Sequence, residues 1–294
     1  MKLTVEQLPT LVAELKNHFP ASLNVYYFAR NTVSQQHAWP GLEFHVDTYP
    51  NVNACVCRTA SSSRTDIPPL FNGYTVYTFS KDPQKLAELI ATEGVIDWTE
   101  SISFGMVNES GDVKVVREKC AQQGGTSAIT PGSNYYDHGI IAHFDMKNVP
   151  KLEYKLPEGF TLGTLTAKHA EQVTKDKFYG DPQTNIKFFR YFLDAGFPNA
   201  ALFNADGRPI AYHCQRPENS LGIGFVAEEF RSKGLFKIVV YEVLQKLKAN
   251  GETEAYSDIA PGNIPSIKTC ERLGATFYDQ QFEWFEYVPK NGRK

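Results

Sequence analysis

Leu235, Ile238, Val239, Val243, Leu244 and Leu247 recur at the three- and four-residue spacing of an α-helix, and Asn250-Gly251 supplies its stop. Just upstream, Leu221, Ile223, Phe225 and Ala227 alternate with Gly222, Gly224 and Val226, the period of a strand. Two glycines in that strand let another group approach its backbone closely. The polar turn Glu228–Lys233 and Gly234 lie between strand and helix. The pattern therefore predicts strand, glycine-containing loop and helix over Leu221–Asn250. Loop amides at a helix N-terminus make an anion site suited to a diphosphate, and Arg231 and Lys233 add positive charge there.

Elsewhere Val5, Leu8, Leu11, Val12, Leu15 and Phe19 predict an amphipathic opening helix ended by Pro20. Leu23–Ala29 reads as a strand and Arg30–Gly41 as a polar, turn-rich stretch. Phe44–Val46, Val52–Arg58 and Tyr74–Phe79 are further strands, with Ser61–Asp66 an exposed loop. Asp82 and Pro83 cap and open a helix through Glu93. Gln122–Ser133, rich in Gly and Ser, reads as a loop or hinge, and the charged, proline-bearing Asn148–Gly159 as a linker. The expected domains are 1–150 and 151–294. Past the linker come a strand at Phe160–Leu165, helices at Ala167–Lys177 (Ala170, Val173 and Phe178 inward) and Asn185–Leu193, and strands at Ala200–Phe203 and Ile210–Gln215. Asn204–Gly207 turns between those two strands. After the central unit follow a strand at Glu254–Ile259, a helix at Asn263–Leu273, and strands at Ala275–Tyr278 and Phe282–Val288. The fold class is mixed α/β (α+β).

Composition narrows the choice of partner. The net charge of −3 and scattered basic residues argue against a nucleic-acid surface. No apolar run approaches the length of a membrane span. The first nineteen residues carry Glu6 and Glu14 and show no secretory or transit pattern, so a cytoplasmic or mitochondrial location is expected. The five cysteines and seven histidines show no metal-ligand or triad spacing; buried thiols and no metal are expected. No pattern in the chain specifies an oligomeric state.

Gly222-Ile-Gly224-Phe-Val-Ala227 fits the dinucleotide fingerprint G-x-G-x-x-A in letters but not in context. That fingerprint needs a strand before its first Gly and a helix opening at its second, whereas Arg216–Ser220 is a turn and both glycines lie within the strand. Arg231-Ser232-Lys233-Gly234-Leu235-Phe236 instead resembles the R/Q-x-x-G-x-G/A loop of the GCN5-related N-acetyltransferases, with Phe236 where that loop ends in a small residue. The element order of the second half is also that of the acetyltransferase fold. Across nearly the whole chain the resemblance narrows to the glycine N-acyltransferase family. It is carried by Pro20–Tyr26, Val46–Pro50, Ser80–Gln84 and Ile96–Trp98 in the first half, and by His169-Ala170, Val173, Gly180, Glu229–Leu235, Tyr256-Ser257 and Asn263 in the second.

The resemblance implies a degenerate acetyltransferase-like N-terminal domain followed by a catalytic one that binds acyl-CoA. It implies acyl transfer to the amine of glycine or another small amino acid, with acyl-CoA as co-substrate and Arg231, Ser232, Lys233, Gly234, Leu235 and Phe236 around the diphosphate. Asn263 would contact the pantetheine arm; it is equally a good N-cap for the helix that follows. The chemistry needs a base, because the attacking ammonium must lose a proton, and Glu229 stands at the family's position for it. A solvated loop carboxylate, as at Glu228, is the alternative role. A backbone N–H near Val226 or Ala227 would hold the oxyanion. The register of a frequent acetyltransferase tyrosine falls on Cys270, expected to be a packed helix residue, and no general acid is assigned. Arg58, Arg64, Arg190 and Arg216 are all available for an acceptor carboxylate. A protein or polyamine N-acetyltransferase and a catalytically lapsed acyl-CoA-binding protein are the competing functions.

Overall fold

A computed structural model describes residues 1–61, 64, 66–71, 73–129, 136–176 and 182–290. The opening amphipathic segment is helical as its spacing requires, with α1 at Leu8–Leu15 flanked by short 3-10 turns. The next element corrects the sequence expectation. Leu23–Ser34 is a helix, α2, and not a strand followed by a turn. Leu23 to Ala29 are all buried, so no polar face exposes the helical period, and a short apolar run is ambiguous between strand and helix.

Strands β1 (Glu43–Val46), β2 (Ala54–Arg58) and β3 (Thr75–Ser80) follow as expected. Asp82 does cap helix α3 (Pro83–Ala91), its carboxylate accepting from the Gln84 N–H. Then come β4 (Ile102–Asn108), α4 (Asp112–Gln122), β5 (Thr126–Ala128) and β6 (Tyr136–Asp145). Gln122–Ser133 is thus only in part a loop, and 130–133 lie outside the described residues, as do 62, 63 and 65 of the expected loop at Ser61–Asp66.

The second half follows its pattern closely: β7 (Thr161–Gly163), α5 (Ala170–Asp176), α6 (Pro182–Asp194), β8 (Asn199–Phe203), β9 (Pro209–Gln215), β10 (Leu221–Val226), α7 (Leu235–Ala249), β11 (Glu254–Ile259), α8 (Ile264–Arg272), β12 (Thr276–Phe277) and β13 (Phe282–Val288). Ala170 and Val173 are buried as expected, whereas Phe178 and Gly180 lie outside the described residues.

The chain forms two compact units: Met1–Ile140 with Lys177–Phe188 and Asp279–Lys294, and Ile141–Asp176 with Phe189–Tyr278. Residues 182–188 and 279–290 thus group with the first unit although they follow the linker in the chain. In the first unit β1, β2 and β3 pair antiparallel, β4 pairs parallel to β3, and β13 pairs antiparallel to β4. A core of Val76, Leu86, Ile102, Phe104 and Phe285 fills this unit. All five cysteines are buried and none is in a disulfide, and burial pushes the Cys55 and Cys57 thiols well above their ordinary range. In the second unit β7, β8, β9 and β10 form an antiparallel meander with β10 at its edge, and α7 packs against β8 and β9. Among the described residues no helix is long and apolar enough to cross a membrane.

Asp112 opens α4 with its side chain in the interior. The Ser80 hydroxyl donates to its Oδ1 at 2.5 Å, while Oδ2 meets no hydrogen-bond partner among the described residues. Burial, only partly offset by Ser80, pushes the carboxyl up to about 6. An unfolded aspartate titrates near 3.9. The folded protein therefore holds this proton more tightly, and the group's contribution to stability falls as pH climbs from about 4 to about 6 and stays lost above. Asp112→Asn is expected to be more stable than the parent at pH 8 by about 3 kcal/mol. The gain disappears near pH 4 in chemical denaturation; an equal gain at both pH values refutes the account.

Candidate active site

β9 and β10 are joined by the predicted turn, which the Arg216 N–H closes by donating to the Ser220 carbonyl at 2.7 Å. Along β10 the ladder pairs Gly222 with Cys214 and Phe225 with Tyr212, which leaves Ile223 and Gly224 opposite the single residue His213. This is a β-bulge, and Ile223 takes a left-handed φ of +55° to make it. For a β-branched residue that conformation is a backbone outlier, of the kind that clusters at functional sites. The bulge also rests on Gly224, where a Cβ would stand 2.7 Å from the Phe236 ring and 2.9 Å from His213 Nδ1. Phe236, placed edge-on to His213 at 5.3 Å, fills the space that the glycine leaves. The departure from a small residue at 236 is thereby accommodated.

Past the bulge the ladder fixes where the backbone groups point. Ala227 N–H donates to the Ile210 carbonyl at 2.8 Å, and Val226 is paired opposite Ala211. In an antiparallel ladder the neighbour of a bonded residue turns its N–H and C=O to the other side. The Val226 amide therefore faces the free edge of β10, and the Ala227 amide is already taken. Of the two amides expected near the reacting carbonyl, only that of Val226 is turned outward. On this edge β10 meets β11 through a single parallel bridge, Ser220 to Tyr256, and a hydrogen bond from Ser257 Oγ to the Leu221 carbonyl at 2.7 Å. The two strands belong to separately hydrogen-bonded sheets. In the first unit, by contrast, β3 and β4 pair directly over Thr75–Tyr77 and Ser103–Gly105.

The loop that follows is tight. Glu228–Phe230 makes one 3-10 turn, Ser232 adopts φ +62° and Gly234 adopts φ +76°. Gly234 is the N-cap of α7, with no side chain capping the helix and no acidic residue in its first turn. The first N–H groups of an α-helix lack intrahelical partners. No side chain caps them here, and the loop just before the helix carries two exposed cations: Arg231, whose Nε donates to the Val226 carbonyl at 3.2 Å, and Lys233, whose Nζ donates to the Glu229 carbonyl at 3.0 Å. The N-terminus of α3 in the first unit is the reverse case, because Asp82 occupies its amides and Pro83 offers none. Leu235, the first residue of α7, is buried and anchors the end of the loop.

Glu229 is exposed on the 3-10 turn, and Arg208 reaches its Oε1 at 3.5 Å. Asn263 caps α8, accepting from the Ser266 N–H at 3.3 Å. Cys270 is buried in α8 and pushed by that burial up to about 12, so it remains a neutral thiol near pH 7. Among the described residues no group of three or more His, Cys, Asp or Glu is placed to hold a metal ion.

All four candidate arginines are committed to acidic side chains, Arg64 to Asp66 at 2.6 Å. Arg58 binds Glu43 at 2.7 Å and the Tyr74 hydroxyl at 3.0 Å. Arg190 pairs with Glu171 at 3.1 Å. Arg216 is drawn into a buried cluster with Glu218 at 3.0 Å, Asp258 and Ser220. Burial raises the Glu218 carboxyl above its ordinary value, against the pull of Arg216. Composition disguised this cluster, since Arg216-Pro-Glu-Asn-Ser220 has the make-up of a solvated turn. The visible signal was Asp258, an acid among the small and apolar residues near the end of β11.

Strand, glycine-bearing loop and uncapped helix together define an acyltransferase of the acetyltransferase (GNAT) fold, and residues 168–275 match the model of the GNAT acetyltransferase family. The chain belongs to the aralkyl acyl-CoA:amino acid N-acyltransferase family, whose model matches residues 3–195. It is 25% identical to the glycine N-acyltransferase of Mus musculus over 91% of this chain and 92% of that one. It is 22% identical to the human glycine N-acyltransferase-like protein 2 over 97% of each. Among solved structures, a Drosophila protein superposes with a TM-score of 0.77 at 18% identity, covering 98% of both chains. A tandem GNAT protein from the clavulanic acid biosynthesis pathway gives 0.55 at 14% identity, over 97% of both.

Proposed function

We propose that the second unit transfers an acyl group from acyl-CoA to the amine of a small amino acid, glycine in the first instance. The observation that carries this reading is the coincidence on one edge of three features: the outward amide of Val226, the Arg231 side chain beside it, and the uncapped start of α7. An anion with two phosphates suits that helix start, which offers free amides, the positive end of the helix dipole and two cations. Ser232, Lys233, Gly234 and Phe236 would contribute around the diphosphate, leaving the extended arm to run along the free edge of β10 towards Val226. Asn263, at the head of α8, is the proposed contact for that arm, through the side-chain amide that its cap leaves over.

The reaction then needs three things from the chain. Val226 N–H donates to the carbonyl oxygen as it gains negative charge. Glu229 accepts a proton from the attacking ammonium, directly or through one water, and frees its lone pair. The amine adds to the thioester carbon, the carbon–sulfur bond breaks, and the proton that the nitrogen sheds passes to solvent or to the departing sulfur, giving an amide and free CoA. A thiol with an ordinary pKa near 8.5 leaves with little assistance, so no acid is required of Cys270. Family membership supports an amino acid acceptor over a cationic polyamine or protein terminus.

Release of CoA thiol from a panel of acyl-CoAs, with and without single amino acids, tests the reading. Thiol release that depends on glycine or another small amino acid, with an N-acyl amino acid as product, is expected. Release only with a peptide or polyamine overturns the acceptor, and tight CoA binding without turnover across the panel overturns the catalytic role.

A further inference from the structure

A second recessed site is built wholly from residues of the first unit and shares none of the groups that the acyl-transfer reading uses. It is a cavity of about 390 Å³, within the range of small-molecule pockets. One wall is apolar and stiff, formed by Ile67, Pro68 and Leu70. Thr59 lies in the floor, buried, and the ionisable side chains on the lining are both cations, Arg64 and Lys187. Arg64 is already neutralised: Asp66 takes its Nε and one terminal nitrogen at 2.8 and 2.6 Å, which holds the Asp66 carboxyl down to about 2. Lys187, on the first half of α6, makes no ion pair among the described residues.

A cavity with an apolar wall, no acidic residue among its described lining residues and one uncommitted ammonium is complementary to a small organic acid. The carboxylate would sit on Lys187, and the hydrocarbon body would lie against Ile67, Pro68 and Leu70, where its removal from water favours binding. A neutral molecule of the same shape loses the charge-assisted hydrogen bond and leaves the ammonium unanswered. We propose that this cavity binds small carboxylates with an apolar body, as free aromatic or aliphatic acids or as acids carried on an amide. The site is independent of the acyl-transfer reading, since its readout is binding and not turnover.

Calorimetric titration of the full chain tests this, with CoA present throughout to fill any site for it. The probes are phenylacetate, N-phenylacetylglycine and the neutral isostere phenylacetamide. One or both acids are expected to bind with a dissociation constant of about 1 mM or below and phenylacetamide at least about tenfold more weakly. Lys187→Ala is expected to weaken the acids about tenfold and Lys187→Arg to restore most of the affinity. Lys187 is exposed, so neither variant endangers the fold. Tighter binding of N-phenylacetylglycine assigns the site to amide-carried acids; tighter binding of phenylacetate assigns it to free acids. The proposal fails if neither acid binds up to about 20 mM, if phenylacetamide binds equally well, or if Lys187→Ala leaves the affinity within about twofold.

Discussion

Replacing Glu229 by Gln is expected to lower turnover by about three orders of magnitude while leaving CoA affinity within about twofold. Gln keeps the length and shape of the side chain and can still accept from Arg208, so the 3-10 turn is undisturbed; only the capacity to take a proton is removed. The contact with Arg208 spans 3.5 Å between groups that are both about half exposed, and such surface pairs are worth at most about 1 kcal/mol. Arg208 therefore does not lock the carboxylate away from an ammonium or a bridging water. Glu229→Asp, one methylene shorter, is expected to keep part of the rate. Steady-state thiol release gives the turnover number and calorimetry the CoA affinity. Were Glu229 a merely solvated loop acid, Gln would leave turnover within about twofold, and that result removes it from the mechanism.

Gly234→Glu is expected to act the other way round, weakening CoA about a hundredfold or more with the fold intact. The space around Gly234 is open, with no atom within 4 Å of a built Cβ, so the effect is not a clash. Two other terms act. Any L-residue at φ +76° meets the left-handed penalty of roughly 1–2 kcal/mol, which loosens the loop that presents the amides. The added carboxylate also brings negative charge to the anion site and competes for the helix amides as a cap would. Gly234→Ala carries only the first term and is expected to cost about tenfold or less. If Glu and Ala at 234 weaken CoA equally, charge plays no part and the diphosphate does not sit at this helix.

The second unit was legible because its elements are one-sided. α7 and β10 each present a single apolar face to a sheet or helix, and that asymmetry is written directly into spacing. α2 has no such face: every residue from Leu23 to Ala29 is buried, so its period vanished and its aromatic and β-branched content mimicked a strand. The loop Arg231–Gly234 was visible because glycine marks the left-handed residue that opens α7. The bulge left a fainter trace, since a left-handed Ile223 has no signature of its own, and only the flanking Gly222 and Gly224 hinted at crowding. Asn263 was readable as a cap because Pro265 in the first turn fixes where α8 starts. The burial of Arg216 and Glu218 was not, because a cluster assembled from a turn and a distant strand depends on tertiary packing that no local pattern encodes.

The fit between Gly224 and Phe236 has a consequence for divergence within this family. A ring at the second position of the helix is tolerated only while the strand opposite carries no side chain, so neither position can drift alone. Lineages that return a small residue to 236 are released to accept a methyl at 224, and those that keep the aromatic are bound to the glycine. The two sites should therefore co-vary as a pair in relatives of this chain, although twelve positions separate them.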